Sequence, residues 1–426
     1  MTVTKTRETI NNGGFDDAFA RLYPFVPIFD VRDRYNEATA EFGKKFGTER
    51  DIIVVSAPGR TEIGGNHTDH QRGCVLAAAV NLDVICVASK NDKGLIQITS
   101  RGYPPDAVDL DMLEPVAEEH GKSASLVRGI AAWLSGNGYN IGGMDVYMTS
   151  DVLVGSGLSS SAAYEVAIGS IQNYLYNENN IAPTIIAIAS QYAENTYFGK
   201  PSGLMDQIAS AVGGLIHIDF KTPGEPAVKP VAFDFAAFDY SLCIVDTKAS
   251  HVDLTSAYAA IPAEMRAVAS VFGKDCLGEV DEAEFFLEIK KARIGAGDRA
   301  VLRAIHFFSD NRRVGQQAAA LGAGEIDTFL RLVIESGESS LACLQNIFYS
   351  PEEQGLSIAL ALSKRILKDR GGAWRVHGGG FAGTIQAFVP NKLMPEYRSA
   401  IGNVFGDNSC HRLSVRPVGG TVLLPN

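Results

Sequence analysis

The sequence is poor in cysteine: six in 426 residues (Cys74, Cys86, Cys243, Cys276, Cys343, Cys410), with no C-x-x-C pair and no regular spacing. That excludes a disulfide framework and a zinc knuckle and predicts reduced, buried thiols. There is no basic run either. Lys and Arg total 38 against 49 Asp and Glu, a formal charge of −11, and such a surface repels nucleic acid and anionic lipid. An anionic ligand would therefore have to be held by local backbone dipoles and bound cations. The most apolar segment, CVLAAAVNLDVICVA from Cys74 to Ala88, is broken by Asn81 and Asp83 and is too short for a bilayer helix. The opening MTVTKTRETINNGG lacks the apolar core of a secretory signal, so a soluble, cytoplasmic protein is expected. Low-complexity tracts and internal repeats are also missing. With 46% hydrophobic, 20% charged and 9% aromatic residues the composition is globular, and the length suggests two domains.

Periodicity predicts a helix over Val31–Phe46 and a strand over Ile52–Val55 that stops at the turn signal Ala57-Pro58-Gly59. Strands are expected over Val75–Val87, Ile96–Thr99, Met144–Met148 and Leu215–Asp219. A helix carrying Leu126, Ile130, Trp133 and Leu134 on one face should be capped by Ser123 or Ser125. Further helices should run to Tyr176 and over Pro183–Tyr197. The stretch KTPGEPAVKP, Lys221–Pro230, reads as a boundary, dividing the chain into 1–220 and 221–426. Beyond it, strands are expected over Ser241–Asp246, Gly383–Val389 and Arg412–Pro417, with helices over Asp298–Phe308, Ile326–Phe348 and Gln354–Asp369. The fold class is α/β of the α+β kind, with mixed sheets and packed helices in two layers per domain.

Four motifs carry chemistry. The segment from Ala57 to Gln71 gathers Arg60, Asn66, His67, Thr68, Asp69 and His70, donors and acceptors suited to a polyhydroxyl ligand; the alternative is a solvated turn. His67, Asp69 and His70 look like a metal triplet but lack the helical spacing that aims two histidines at one ion. Gly155-Ser156-Gly157-Leu158-Ser159-Ser160-Ser161 opens a helix, where bare amides can hold phosphates and hydroxyls can reach magnesium. No GK[ST] follows, so it is not a P-loop, and a serine-capped helix entry is the competing explanation. Glu194, in Ala-Glu-Asn, precedes Gly203-Leu-Met-Asp206-Gln; Asp206 sits among apolar neighbours and needs a cation, for which Arg60 is the natural partner. Alternatively Asp206 caps the helix beginning at Gln207. The fourth motif is His377-Gly378-Gly379-Gly380-Phe381-Ala382-Gly383, between two apparent strands.

In this order the motifs resemble the galactokinase branch of the GHMP small-molecule kinases, over about Ala57 to Val389. The resemblance implies two α/β domains with the active site in the cleft between them, and a galactokinase that uses ATP and Mg²⁺ to make α-D-galactose 1-phosphate. It implies that Gly155–Ser161 cradles the phosphates, that Ser161 and Glu194 hold Mg²⁺, and that Asp206 accepts the proton of the anomeric hydroxyl while Arg60 neutralises charge there. The sugar would be held by Asn66, His67, Thr68, Asp69, the backbone at Gly203, and Tyr258. Where that family reads NLIGEHTDY, this chain reads EIGGNHTDH, so Asn66 replaces a glutamate that accepts from the sugar's sixth-carbon hydroxyl. Unlike glutamate, asparagine does not repel a carboxylate at that carbon. The continuation DHQ also resembles the galacturonate kinases, which makes galacturonate or arabinose the alternative substrate. Ala382 and His377 stand where the family has glycine and threonine. A non-catalytic regulator that binds sugar and ATP is the reading from another class, and the uninterrupted GLSSSAA speaks against it.

Overall fold

The computed structural model describes residues 1–153, 155, 157–248, 255–347, 352–381 and 383–426. Ser156 and Ala382, and Phe348 at the end of one expected helix, lie outside the described residues. Among those described, the strands in chain order are β1 (Ile53–Gly64), β2 (Cys74–Lys90), β3 (Leu95–Ser100), β4 (Asp106–Asp109), β5 (Met144–Ser150), β6 (Leu215–Asp219), β7 (Ala227–Pro230), β8 (Tyr240–Asp246), β9 (Ala373–Val376), β10 (Thr384–Pro390), β11 (Cys410–Leu413) and β12 (Thr421–Leu423).

The first sheet is built on β2, 17 residues long. One edge of β2 pairs with β1, while the other takes β6 on its first half and β5 on its second. From β5 the sheet continues through β3, its parallel pair, to β4; β7 extends β6, and β12 closes the free edge of β1. Strand β1 does not stop at Ala57-Pro58-Gly59 as expected but continues to Gly64. Its register shifts between Pro58 and Arg60 and again between Glu62 and Gly64. A bulge is a position where a proline without an N–H is tolerated, so the turn signal bends the strand instead of ending it. The division expected after residue 220 leaves β7 and β12 on its C-terminal side, yet both pair within the first sheet.

Alternation along the strands sends Val55, Cys86, Val146 and Met148 into one core, covered by the helices Ser123–Gly136, Ser160–Tyr176, Pro183–Tyr192 and Met205–Val212. Their neighbours Val54, Ile85, Val87 and Tyr147 face the opposite way, against the helices Val3–Asn11, Asp16–Leu22 and Ile28–Phe46. The second sheet, β11-β8-β10-β9, is antiparallel throughout. One of its faces, with Leu242, Ile244 and Phe388, joins the same core as the first sheet, and the other is covered by the helices Gly355–Leu367 and Met394–Phe405. A further helical cluster, Thr255–Val271, Glu282–Leu287, Ile289–Ala296 and Asp298–Gly322, has a core of its own. The helix Ser123–Gly136 forms as expected, but neither serine caps it; Lys122 stands at the cap position and makes no side-chain bond there. All six cysteines are free, and no described helix is long and apolar enough to cross a membrane.

Candidate active site

The second half of β1 brings the first motif against the others. Arg60 is 7% exposed, and its Nε and Nη2 donate to Asp206 Oδ1 and Oδ2 at 2.6 Å each. This is the paired fork of a bidentate ion pair. Its Nη1 donates to the carbonyl of Gly157, and its backbone N–H donates to Leu158 O at 2.9 Å, so the glycine-rich loop is tied to the strand. Asp206 lies in the first turn of the helix Met205–Val212 but does not cap it; its carboxylate takes the Ser159 hydroxyl at 2.6 Å as well as Arg60. Burial pushes that carboxyl up, but the charge of Arg60 and the hydrogen bonds from Arg60 and Ser159 outweigh it and hold Asp206 below its ordinary value.

Ser159 stands at the entry of the helix Ser160–Tyr176 with a left-handed φ of 58° and makes no side-chain cap. Its hydroxyl is spent on Asp206, so Ser159 does not cap the helix, and among the described residues the first-turn amides have no side-chain partner, as an anion site requires. Ser161 donates to Glu194 Oε1 at 3.3 Å. Glu194 is 2% exposed and sits on a π-helical turn, Ala193–Phe198, that ends the preceding helix, a distortion common at functional sites. Sequence reasoning missed what surrounds it. Lys200 Nζ lies 2.7 Å from Glu194 Oε1, and Gln207 Nε2 bridges Glu194 Oε2 at 2.9 Å and Glu165 Oε2 at 3.1 Å. Glu165 Oε1 is buried and finds no hydrogen-bond partner among the described residues. Burial first, and then the charge of Glu194, push the Glu165 carboxyl well above its usual range.

On the other side of Arg60, the loop after β1 is pinned by the helix Asp298–Gly322, the turn between β9 and β10, and Asn346. Asn66 is fully buried, and its amide donates to Glu62 Oε1 at 3.1 Å and to Gly378 O, while its Oδ1 accepts from Asn346 Nδ2 at 2.8 Å. Its backbone N–H donates to Asp310 Oδ2 at 2.8 Å, and its carbonyl lies 3.0 Å from His306 Nε2. The Thr68 hydroxyl reaches Gly65 O and Cys74 O at 2.9 and 2.6 Å, closing the loop on itself. His67 Nε2 is 3.0 Å from Gly379 O; burial takes the ring down to about 4, so it is neutral at pH 7, with Nε2–H as the donor and Nδ1 left as acceptor. Tyr258 donates to Gly380 O at 2.7 Å and lies over Gly379, where a Cβ would come within 2.3 Å of its ring. Asp69 Oδ2 faces Gly203, where a Cβ would approach it to 2.2 Å. The structure thus brings Asp69, Gly203, Arg60, Asp206, Ser159, Ser161 and Glu194 to one place, with His67 and Tyr258 both on the Gly378–Gly380 turn.

Glu62 was also missed. It is 3% exposed and takes Arg375 Nη2 at 2.7 Å, while Arg375 Nη1 donates to Ile63 O at 2.9 Å. Burial raises the Glu62 carboxyl to about 7 despite Arg375 and Arg60. His377 reaches Thr61 Oγ1 with Nε2 and Thr384 Oγ1 with Nδ1, both at 3.0 Å, so it joins β1 to β10, and its ring lies beside Gly157 of the glycine-rich loop, where a Cβ would come within 3.2 Å of Nδ1.

Two family models match the chain: the galactokinase galactose-binding signature over residues 40–90 and the GHMP kinases N terminal domain over residues 125–214. Among solved structures it resembles a Lactococcus lactis galactokinase complexed with galactose, with a TM-score of 0.80 and 24% identity, over 92% of this chain and 100% of that one. It also resembles the Methanococcus jannaschii mevalonate kinase, with a TM-score of 0.61 and 13% identity over 86% and 98% of the two chains. A D-glycero-D-manno-heptose 1-phosphate kinase from Bacteriodes thetaiotaomicron matches with a TM-score of 0.58 and 16% identity over 88% and 99%. At these identities the structural likeness establishes the fold.

Proposed function

From its place in the galactokinase branch of the GHMP kinases, we propose that this phosphotransferase moves the γ-phosphoryl group of ATP to the anomeric hydroxyl of a monosaccharide, D-galactose first among them. The observation that carries the reading is the Arg60–Asp206–Ser159 cluster, set where an uncapped helix N-terminus meets β1. Phosphoryl transfer needs positioned groups and compensated charge more than covalent chemistry. The helix amides at Ser160–Ser161, with the glycines before them, receive the phosphates. Arg60 stands beside the point where nucleophile and phosphate meet, and Asp206 accepts the hydroxyl proton. A carboxylate held below its ordinary value is a weak base, so proton transfer contributes about 10²–10⁴-fold, and orientation with charge stabilisation supplies most of the rest.

The donors near Glu194 fit a magnesium ion. A serine hydroxyl and a carboxylate oxygen meet there, and a second carboxyl oxygen, Glu165 Oε1, has no hydrogen-bond partner among the described residues. So small a protein set suits an ion that keeps several waters and takes substrate phosphates. Ser161 and Glu194 would hold Mg²⁺, which would supply positive charge to offset that of the nucleotide phosphates.

Asp69, the Gly203 backbone and the Nδ1 of His67 supply acceptors for the sugar hydroxyls, with Tyr258 beside them. Position 66 supports a second substrate. Its amide is neutral and already bonded to Glu62, Gly378 and Asn346, so it offers no negative charge to a carboxylate at the sixth carbon, and galacturonate or a pentose such as arabinose fits the same reading. A coupled ADP-release assay over galactose, galacturonate, arabinose, N-acetylgalactosamine and glucose decides among them. Galactose ranking well below galacturonate overturns the sugar assignment, and no ADP release with any sugar leaves the regulator reading instead.

A further inference from the structure

The charges around Glu194 balance in a way that ATP and a divalent ion must disturb. Asp206 and Glu194 face Arg60 and Lys200, two carboxylates against two cations, and Asp206 is already taken by Arg60. Lys200 is bound twice to Glu194: its backbone N–H donates to the Glu194 carbonyl at 3.1 Å, and its ammonium lies 2.7 Å from Oε1. That oxygen is the same one that accepts from Ser161. The π-helical turn creates this arrangement, because its wide loop returns the chain past Gly199 directly over Glu194. The two ends of the pair differ sharply, since the Lys200 side chain is 58% exposed and the Glu194 side chain 3%. Glu194 is therefore fixed in the interior while Lys200 reaches it from solvent on a flexible four-carbon stem.

We infer that Lys200 occupies the cation position on Glu194 when no divalent ion is there, and that it swings to the nucleotide's terminal phosphates once the ion takes its place. The inference rests on reading this site as a metal- and ATP-dependent one. A buried carboxylate left without a counter-ion is costly, and Lys200 answers that need in the empty site. A divalent ion on Ser161 and Glu194 then competes with an ammonium on the same oxygen. Once displaced, Lys200 is a strongly hydrated point charge at the rim of a site that receives a polyanion, in a protein whose overall charge of −11 does not attract one. It is a positioning and phosphate-binding residue, and it opposes metal binding in one state while favouring nucleotide binding in the next.

The test is Lys200→Met, with Lys200→Arg beside it. Mn²⁺ binding to the nucleotide-free protein is followed by electron paramagnetic resonance, and KM for the metal–nucleotide complex by the ADP-release assay. With Lys200→Met, Mn²⁺ should bind about tenfold more tightly and KM for nucleotide should rise about tenfold, the scale of one charge-assisted hydrogen bond. Lys200→Arg should restore much of the nucleotide affinity. Opposite shifts of metal and nucleotide affinity bear out the inference. Unchanged or weaker Mn²⁺ binding in Lys200→Met overturns it, because a residue that only props Glu194 in place would weaken both. If the unaltered protein releases no ADP with any sugar, the kinase reading fails instead, and the Mn²⁺ comparison still decides whether Lys200 competes for Glu194.

Discussion

Asp206 shows how much a single residue's role depends on what reaches it. Set between Met205 and Gln207, it reads equally well as a helix cap, and its carboxylate is instead divided between Arg60 and Ser159. Asp206→Asn keeps the shape of the side chain but removes the charge and the proton acceptor. Its kcat should fall by at least about a hundredfold, while ATP affinity, measured by calorimetry, stays nearly unchanged. Near-normal turnover would remove Asp206 from its role. Because Arg60 and Ser159 keep its carboxyl below the ordinary value, Asp206 is already ionised at pH 5, and the unaltered enzyme's rate should show no acid limb from this group between about pH 5 and pH 8. Asn66 carries another lesson: its identity singles it out as a sugar contact, and its amide bonds Glu62 on β1, the Gly378 carbonyl in the turn between β9 and β10, and Asn346, partners that the sequence does not announce.

At the scale of elements, the joint between β1 and β9 decides where the loop after β1 sits. Arg375 is fully buried and holds both Glu62 and the Ile63 carbonyl, while Gln386 on β10 donates to Thr61 Oγ1 at 2.7 Å. Arg375→Met should cost about 3–5 kcal/mol, the usual penalty for stripping the partner from a buried charge, read as a lower urea midpoint. The loss should be smaller below pH 7 than above it. Glu62 titrates at about 7 in the folded chain, above its unfolded value, so at lower pH it is protonated and no longer needs the guanidinium. The helix Asp298–Gly322 runs well past its expected end at Phe308 for a related reason. Asp310 and Asn311 look like turn residues, but Asp310 takes the Asn66 N–H and Asn311 takes the Cys74 N–H at 2.6 Å. The helix Thr255–Val271 was not anticipated because Pro262 lies inside it, where an isolated segment would break.

For the whole molecule, the same logic predicts how it fails in acid. Asp83, Asp206 and Asp310 are each pushed up by burial yet held below their ordinary value by their partners, Arg34 and Arg416 for the first, Arg60 for the second, and His306, Arg375, Arg313 and the Asn66 N–H for the third. A carboxyl whose folded value is depressed adds stability above its unfolded value of about 3.9 and loses it as pH falls through the folded one. Thermal melting should therefore change little on their account down to about pH 5 and fall steeply below about pH 4. A melting temperature unchanged at pH 3 would contradict this. Asp83 also shows how far apart in sequence these partners are. It accepts from Tyr23 at 2.5 Å and is bound by Arg34 and Arg416 at 2.6 and 3.1 Å, so the N-terminal helices and the C-terminal segment meet on one buried carboxylate.

The linear order of residues determined the elements whose signal is local. Strands β2, β5, β6 and β8 and the helix from Ser160 announce themselves because alternation and helical periodicity depend only on near neighbours, and the four motifs could be read because each is a short run with its own chemistry. Tertiary structure decided everything that depends on a distant partner. It carried β1 through a proline because β2 pairs with it both before and after Pro58, spent Asn66 on Glu62, the Gly378 carbonyl and Asn346, and set Lys200 on Glu194 by way of a π-helical turn. Buried charges and unpaired strand edges must find partners wherever the chain can supply them, and no pattern within a short window says which partner that will be.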